Sequence, residues 1–278
     1  MIGICTDSNS QLPAELAERY GVEIVPLTLQ IDGREYLEGH DLDVDEFYEL
    51  YARGPRPAMR FAEPSPGQFA VAYDELAQRG CTQILSVHTS LAAGCTLRAA
   101  RLAAHGSAVP VRLVDSGTAR FGVSCTVWAA GDAIADGATL DEAAHVAESL
   151  SPSIGNVFIT AGLRFSRQSG VPGGAPGRSV YSMVGNEVQS LCEVESVVDA
   201  VNAIALRALQ HDAGLGEDGR RLRIGVGHAH RDTQPIADAI AHAVGESARV
   251  VEVLPFRIGP SVGVESGPGT VGCVMFPA

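Results

Sequence analysis

Lysine is absent from this 278-residue chain, and all 20 basic side chains are arginine. No lysine Schiff base, pyridoxal-phosphate lysine or P-loop lysine can therefore operate here. A coding bias toward GC-rich codons would leave the same gap without any functional meaning. Positive charge is scarce as well: 20 Arg against 33 Asp plus Glu gives a net charge of −13. That sign repels phosphate backbones and anionic membrane surfaces, and argues against a nucleic-acid partner. No apolar run approaches the ~18 residues of a membrane span. The opening Met1-Ile2-Gly3-Ile4-Cys5 carries no basic n-region and does not read as a signal peptide. None of the six cysteines stands in a C-x-x-C pair, which disfavours a structural zinc site. The expectation is a cytoplasmic protein with free thiols and no cofactor.

Hydrophobic residues at 46% and charged residues at 19% supply enough apolar surface for a core. In the first half, short apolar runs alternate with amphipathic stretches. Ile2–Cys5, Val22–Leu29, Gln83–Val87 and Val111–Val114 read as strands. Leu12–Tyr20, Val44–Arg53, Ser65–Arg79, Thr96–His105, Gly122–Ala135 and Leu140–Leu150 read as helices. This order implies parallel βαβ units. After Ser151-Pro152 the texture shifts to strands at Asn156–Thr160, Val180–Val184, Glu187–Leu191, Arg223–Gly227, Arg249–Leu254 and Val271–Phe276. Helical patterns remain about Glu195–His211 and Thr233–Val244. Gly185-Asn186 suggests a hairpin, Gly170–Gly177 a flexible loop and Ala213–Arg221 a polar connector. The expected fold class is α/β: a parallel sheet flanked by helices over residues 1–152, then an α+β domain over 153–278.

Six segments in order resemble the DegV family of bacterial lipid-binding proteins. Thr6-Asp7-Ser8-Asn9-Ser10-Gln11-Leu12-Pro13 is similar to its TDSxxDLP start, and Val25-Pro26-Leu27 with Asp32-Gly33 and Tyr36 to its following strand and turn. Pro64-Ser65-Pro66-Gly67 resembles the tail of its TSQPSPG motif, and Thr89–Thr96 its SSxLSGTY motif. Val114-Asp115-Ser116 resembles its central VDS. Ile258-Gly259-Pro260 with Gly267-Pro268-Gly269 resembles its closing "IGP … HTGPG". The resemblance implies two domains holding one fatty-acid-like ligand in a tunnel between them, its carboxylate against hydroxyls from two N-terminal-domain loops. Some members deliver the acid to a fatty acid kinase, which phosphorylates the carboxylate. A carrier of this kind needs a dry tunnel and a few polar donors, not a nucleophile.

The head-group positions depart from the family pattern. By that resemblance the ligand's polar end meets Arg60, Phe61 and Ala62 on one side and Ala93, Gly94 and Cys95 on the other, with Glu265 closing it. Phe61 and Ala62 stand where the family has Thr and Ser, Ala93 and Cys95 where it has Ser and Thr, and Glu265 where it has His. Val171 takes the place of the family's Arg, and the stretch before Val180 is shorter by roughly half a helix. Hydrogen bonds to a charged group contribute about 1.5–3 kcal/mol each. Losing two or three, and adding the Glu265 carboxylate, lowers affinity for an ionised fatty acid by about a thousandfold. Arg60, one position before Phe61, could supply a compensating positive charge, and its plainer reading is a solvated surface arginine.

Other candidates have plainer readings beside the functional ones. Asp7-Ser8 follows a strand at the sheet edge where α/β proteins bind ligands, and also suits an N-cap. The Thr89–Thr96 loop offers backbone N–H groups to an anion, with Gly94 permitting close approach. His228-x-His230 would suggest a metal pair, but no third ligand is near in sequence. His88 is a rim or core histidine that could also reach a head group. Cys95 at a helix start would need a base such as His88 to act as a nucleophile. Asp41-x-Asp43-x-Asp45 lacks the rest of a calcium loop and fits an acidic helix start. Three functions compete: a non-enzymatic lipid carrier; a binder of another small molecule, neutral or cationic; and an enzyme resembling the substrate subunit of dihydroxyacetone kinase. The last binds its substrate through a histidine for which no matching motif exists here.

Overall fold

The computed structural model describes residues 1–52, 58–91, 94–160, 179–184, 187–211 and 221–278. The Gly170–Gly177 loop, the Gly185-Asn186 turn, most of the Ala213–Arg221 connector, Val171 and Ala93 lie outside them. The chain divides into two compact units, Met1–Leu42 with Ala58–Pro152, and Asp43–Pro57 with Ser153–Ala278.

The elements in chain order begin β1 (Ile2–Asp7), α1 (Ala14–Tyr20), β2 (Glu23–Val25), β3 (Thr28–Ile31), β4 (Arg34–Leu37), α2 (Val44–Ala52) and β5 (Met59–Ala62). There follow α3 (Pro66–Gln78), β6 (Gln83–His88), α4 (Thr96–Ala104), β7 (Val111–Asp115), α5 (Phe121–Ala135) and α6 (Leu140–Ser149). A parallel sheet in the order β2-β1-β6-β7 forms the centre of the first unit. Strand side chains alternate between faces, and here both faces are covered. Ile4, Leu85 and Val87 pack with Val123 and Val127 of α5 and Ala143 and Ala147 of α6. Cys5 and Ile84 pack with Phe69, Tyr73 and Leu76 of α3 and Ala100 of α4.

The stretch Val22–Leu29, expected as one strand, is two strands in two sheets. β2 ends at Val25, and Pro26 has no N–H to continue a ladder. β3 then pairs antiparallel with β4 and β5 in a separate three-stranded sheet, order β4-β3-β5. Neither β4 nor β5 was anticipated, because each has only four residues, two of them charged in β4 and one in β5.

The second unit continues with β8 (Gly155–Ile159), β9 (Ser179–Val184), β10 (Glu187–Glu193), α7 (Val197–Leu209), β11 (Leu222–His228), α8 (Gln234–Gly245), β12 (Val250–Arg257), α9 (Pro260–Ser266) and β13 (Val271–Pro277). Its six strands run β10-β9-β8-β13-β11-β12, all antiparallel except the β11–β12 pair. Ile204 and Ala208 of α7 and Ile240 and Val244 of α8 bury Val157, Ile224, Val226, Val271 and Met275. Helix α2 belongs here although the flanking sequence belongs to the first unit. Phe47 and Tyr48 are buried, the Tyr48 hydroxyl donates to the Ile258 carbonyl at 2.7 Å, and Arg257 Nη2 pairs with Asp45 at 2.7 Å. Gly263 of α9 admits the Tyr48 ring edge: a Cβ there would lie 2.3 Å from the hydroxyl. Among the described residues no helix is long and apolar enough to cross a membrane.

Candidate functional site

In a parallel α/β sheet, the carboxyl ends of the strands carry the loops that meet ligands. Here those ends are Asp7-Ser8 after β1, His88-Thr89-Ser90 after β6 and Asp115-Ser116 after β7. Asp7 is 1% exposed and both its oxygens are engaged. Oδ1 accepts from the Asn9 N–H at 3.1 Å and caps a short 3-10 turn over Ser8–Ser10. Oδ2 meets His88 Nδ1 at 2.7 Å. The Ser8 hydroxyl donates to Glu38 at 2.6 Å and accepts from the Leu27 N–H at 3.0 Å. The plainer reading of Asp7-Ser8 as cap and turn is the one these bonds describe.

His88 is fully buried on the α3–α4 face. Its Nε2 lies 2.7 Å from Ser86 Oγ, and Ser86 Oγ lies 2.8 Å from the Tyr73 hydroxyl. A proton on Nδ1 satisfies the whole chain: Tyr73 donates to Ser86, Ser86 to Nε2, and Nδ1–H to Asp7. The order Asp–His–Ser has the outline of a nucleophilic triad. Ser86 nevertheless has no exposed surface, and its hydroxyl is shared with Tyr73. The network locks the loop after β1 to the loop after β6. It also removes His88 as a base for Cys95, since both imidazole nitrogens are engaged.

The residues expected at a ligand's polar end fall on three elements. Arg60, Phe61 and Ala62 are on β5, paired with Gln30, Leu29 and Thr28. Strand alternation puts Arg60 and Ala62, both exposed, on one face and the half-buried Phe61 on the other. Gly94 and Cys95 precede α4, and Glu265 is in α9 of the second unit. The first two groups are joined by a residue that the sequence reading passed over, Glu63. Its carboxylate accepts the Cys95 N–H on both oxygens, at 2.8 and 2.7 Å. A Cβ at residue 94 would lie 2.5 Å from Glu63 Oε1, so a side chain there would push the carboxylate aside. A second internal carboxylate serves the same loop: Asp115 Oδ2 accepts the Leu91 N–H at 3.2 Å, while its Oδ1 accepts from Gly117. The Ser90 N–H donates to the Thr118 carbonyl at 2.9 Å. Among the described residues of the loop, the Leu91 and Cys95 N–H groups are taken by the chain's own carboxylates. Only three-dimensional proximity reveals this, because Glu63 lies 32 residues from Cys95.

The remaining candidates resolve into structural roles. Asp41 accepts from the Leu37 N–H, Asp43 caps α2 through the N–H groups of Asp45 and Glu46, and Asp45 holds Arg257. That guanidinium keeps the Asp45 carboxyl below its usual range. His228 is buried at the end of β11, where burial and then Arg257 lower its imidazole pKa, disfavouring the charged ring. His230 faces Glu49 and Asp232. Among the described residues no group of three or more His, Cys, Asp or Glu side chains is placed to hold a metal.

A helix-covered parallel sheet in one compact unit and a mixed sheet in the other define an α/β protein with polar loops at its strand ends. The family model described as "Uncharacterised protein, DegV family" matches residues 1–175, and the chain belongs to the DegV family. The chain is 29% identical to the DegV domain-containing protein SCO2569 of Streptomyces coelicolor, covering 99% of this chain and 98% of that one. It is similar in structure to a DegV family protein from Thermus thermophilus described for its fatty acid binding, with TM-score 0.82, 27% identity, and coverage of 100% and 99%. It also shares its fold with DegV, a fatty acid binding protein from Bacillus subtilis, with TM-score 0.80, 20% identity, and coverage of 100% and 99%.

Proposed function

We propose that this protein is a non-enzymatic binder of a lipid with one long acyl chain. The observation that carries the reading is the likeness, over the whole chain, to the fatty-acid-binding Thermus thermophilus protein. The engagement of Ser86, His88 and Asp7 with one another supports binding rather than catalysis. In this reading the lipid's polar end meets the face of β5 bearing Arg60 and Ala62, the loop around Ala93, Gly94 and Cys95, and Glu265, with its tail in the apolar tunnel that the family resemblance implies. All six cysteines are free thiols, which supports action in a reducing cytoplasm. Were the lipid an acid, the partner would be a fatty acid kinase that phosphorylates the presented carboxylate.

A second reading, a binder of some other small molecule, is favoured by the internal carboxylates on the 89–96 loop. Native mass spectrometry of the purified protein separates the two. A co-purified mass of one acyl lipid supports the carrier, and a different small-molecule mass supports the alternative. Turnover of a bound species would overturn both.

A further inference from the structure

We infer that the side-chain amide of Asn9 donates to the polar end of the bound lipid, an acyl carboxylate. The inference rests on the lipid-binding reading and adds a contact that the topology of the first unit locates. The strand order β2-β1-β6-β7 sends the connection after β1 to one side, to β2, and the connection after β6 to the other, to β7. Leu12 and Tyr20, flanking and ending α1, pack on the α5 face of the sheet, whereas α4 packs on the α3 face. Loops part at such a reversal, and the crevice beyond the carboxyl ends of the two strands is where open α/β sheets take their ligands. Asn9 follows β1 and Thr89 follows β6, one on each lip of that crevice.

The neighbouring donors are engaged within the chain. The Ser8 hydroxyl donates to Glu38, the Ser116 hydroxyl to the Thr118 carbonyl, and the Thr89 hydroxyl to Asn9 Oδ1 at 3.3 Å. The Ser90, Leu91 and Cys95 N–H groups donate to Thr118, Asp115 and Glu63. Asn9 differs. Its own N–H is fixed on Asp7, and its Oδ1 also accepts from the Arg120 N–H at 3.4 Å. A backbone N–H can only donate, so the amide oxygen is the atom turned toward Arg120, and Nδ2 points away. Among the described residues nothing accepts either Nδ2 hydrogen, and Asn9 is only half-buried. Loops after β1, β6 and β7 thus orient one unengaged amide. Asp7 and His88 already hold the turn that carries it, so the donor meets a ligand oxygen without rearrangement. A carboxylate accepts it in a charge-assisted bond.

The test uses palmitate and hexadecanol as probes and Asn9→Asp as the variant. Aspartate keeps an oxygen for Thr89 and for Arg120, whose backbone is held at φ 57°, and replaces only the donor. Asn9→Asp should bind palmitate about 30-fold less tightly than wild type. Hexadecanol, whose hydroxyl can donate to the aspartate, should change by less than about threefold. A purely structural role would weaken both probes together. In wild-type protein the Asn9 Nδ2 proton resonances should move downfield when palmitate is added, a reading that requires no variant to fold. Equal palmitate affinity in the two proteins, an equal loss for both probes, or resonances that palmitate leaves in place would overturn the inference and leave the lipid-binding reading standing. Failure of wild type to bind palmitate and hexadecanol alike would overturn both.

Discussion

Asp7 shows how far a side chain can be read before its partners are known. The spacing of Thr6–Pro13 marks a strand end and a turn, and either a ligand or a cap fits that pattern. The decision lies 81 residues away, where His88 presents Nδ1 to Oδ2. Asp7→Ala leaves the buried Nδ1–H and the Asn9 N–H without acceptors. Removing one partner of a buried hydrogen bond costs about 1–3 kcal/mol per orphaned group. The expected loss in urea unfolding of the first unit is therefore about 3 kcal/mol, and Asp7→Asn, which keeps an acceptor oxygen, should recover roughly half of it. An alanine variant as stable as wild type would show that the network does not hold the two loops. Glu63 was illegible for the same reason as the His88 contact. An exposed acid before a proline is ordinary in sequence, and only folding brings it to Cys95. The family departures at Phe61, Ala62, Ala93, Cys95 and Glu265 were readable, but they say what is missing and not what fills the place.

At the scale of elements the sequence reads well wherever a helix carries its own boundary signals. Ser65-Pro66 opens α3 with a complete capping box: Ser65 Oγ accepts from the Gln68 N–H, and the Gln68 side chain accepts from the Ser65 N–H. Thr139 and Glu142 do the same for α6. The elements that were missed are short. β4 and β5 are short edge pieces whose pairing is supplied by β3, and α9 is seven residues beginning at Pro260. Gln68 also ties α3 to the break between β2 and β3, donating from Nε2 to the Pro26 carbonyl at 3.1 Å. Ser65→Ala should therefore cost about 1 kcal/mol, and Ser65→Asp should restore most of it, because aspartate caps as well as serine. The check is the urea midpoint of the first unit with an unchanged m-value. Equal destabilisation by both substitutions would mean that the hydroxyl matters for something other than capping.

For the whole molecule, the distribution of buried thiols between the units gives each its own response to alkali. Cys5 and Cys125 lie in the first unit, and burial pushes both thiols above the ordinary range. Cys273 lies in the second, where burial pushes its thiol up to about 12. Each group keeps its proton in the folded state while the unfolded thiol ionises near pH 8.5. The unfolded state then binds fewer protons, so stability is full below about pH 8.5 and falls as pH rises toward the folded value. The slope is about 1.4 kcal/mol per pH unit for each thiol. The first unit should thus lose at least about 2.7 kcal/mol per unit above pH 9, twice the slope of the second. Tyr73, also raised by burial, steepens the first unit further above pH 10. On the acid side the order reverses for one group. His228 in the second unit has a lowered pKa, so the stability from its neutral ring is present above about pH 6.5 and is lost as pH falls below it. Urea unfolding under reducing conditions from pH 5.5 to 10.5, followed by Trp128 fluorescence for the first unit and by hydrogen exchange in β11 and β13 for the second, reads both slopes. Cys125→Ala should flatten the first unit's alkaline slope by about 1.4 kcal/mol per pH unit and leave the second unchanged. Equal slopes in the two units, or no change in the variant, would show that these thiols do not control the alkaline limit.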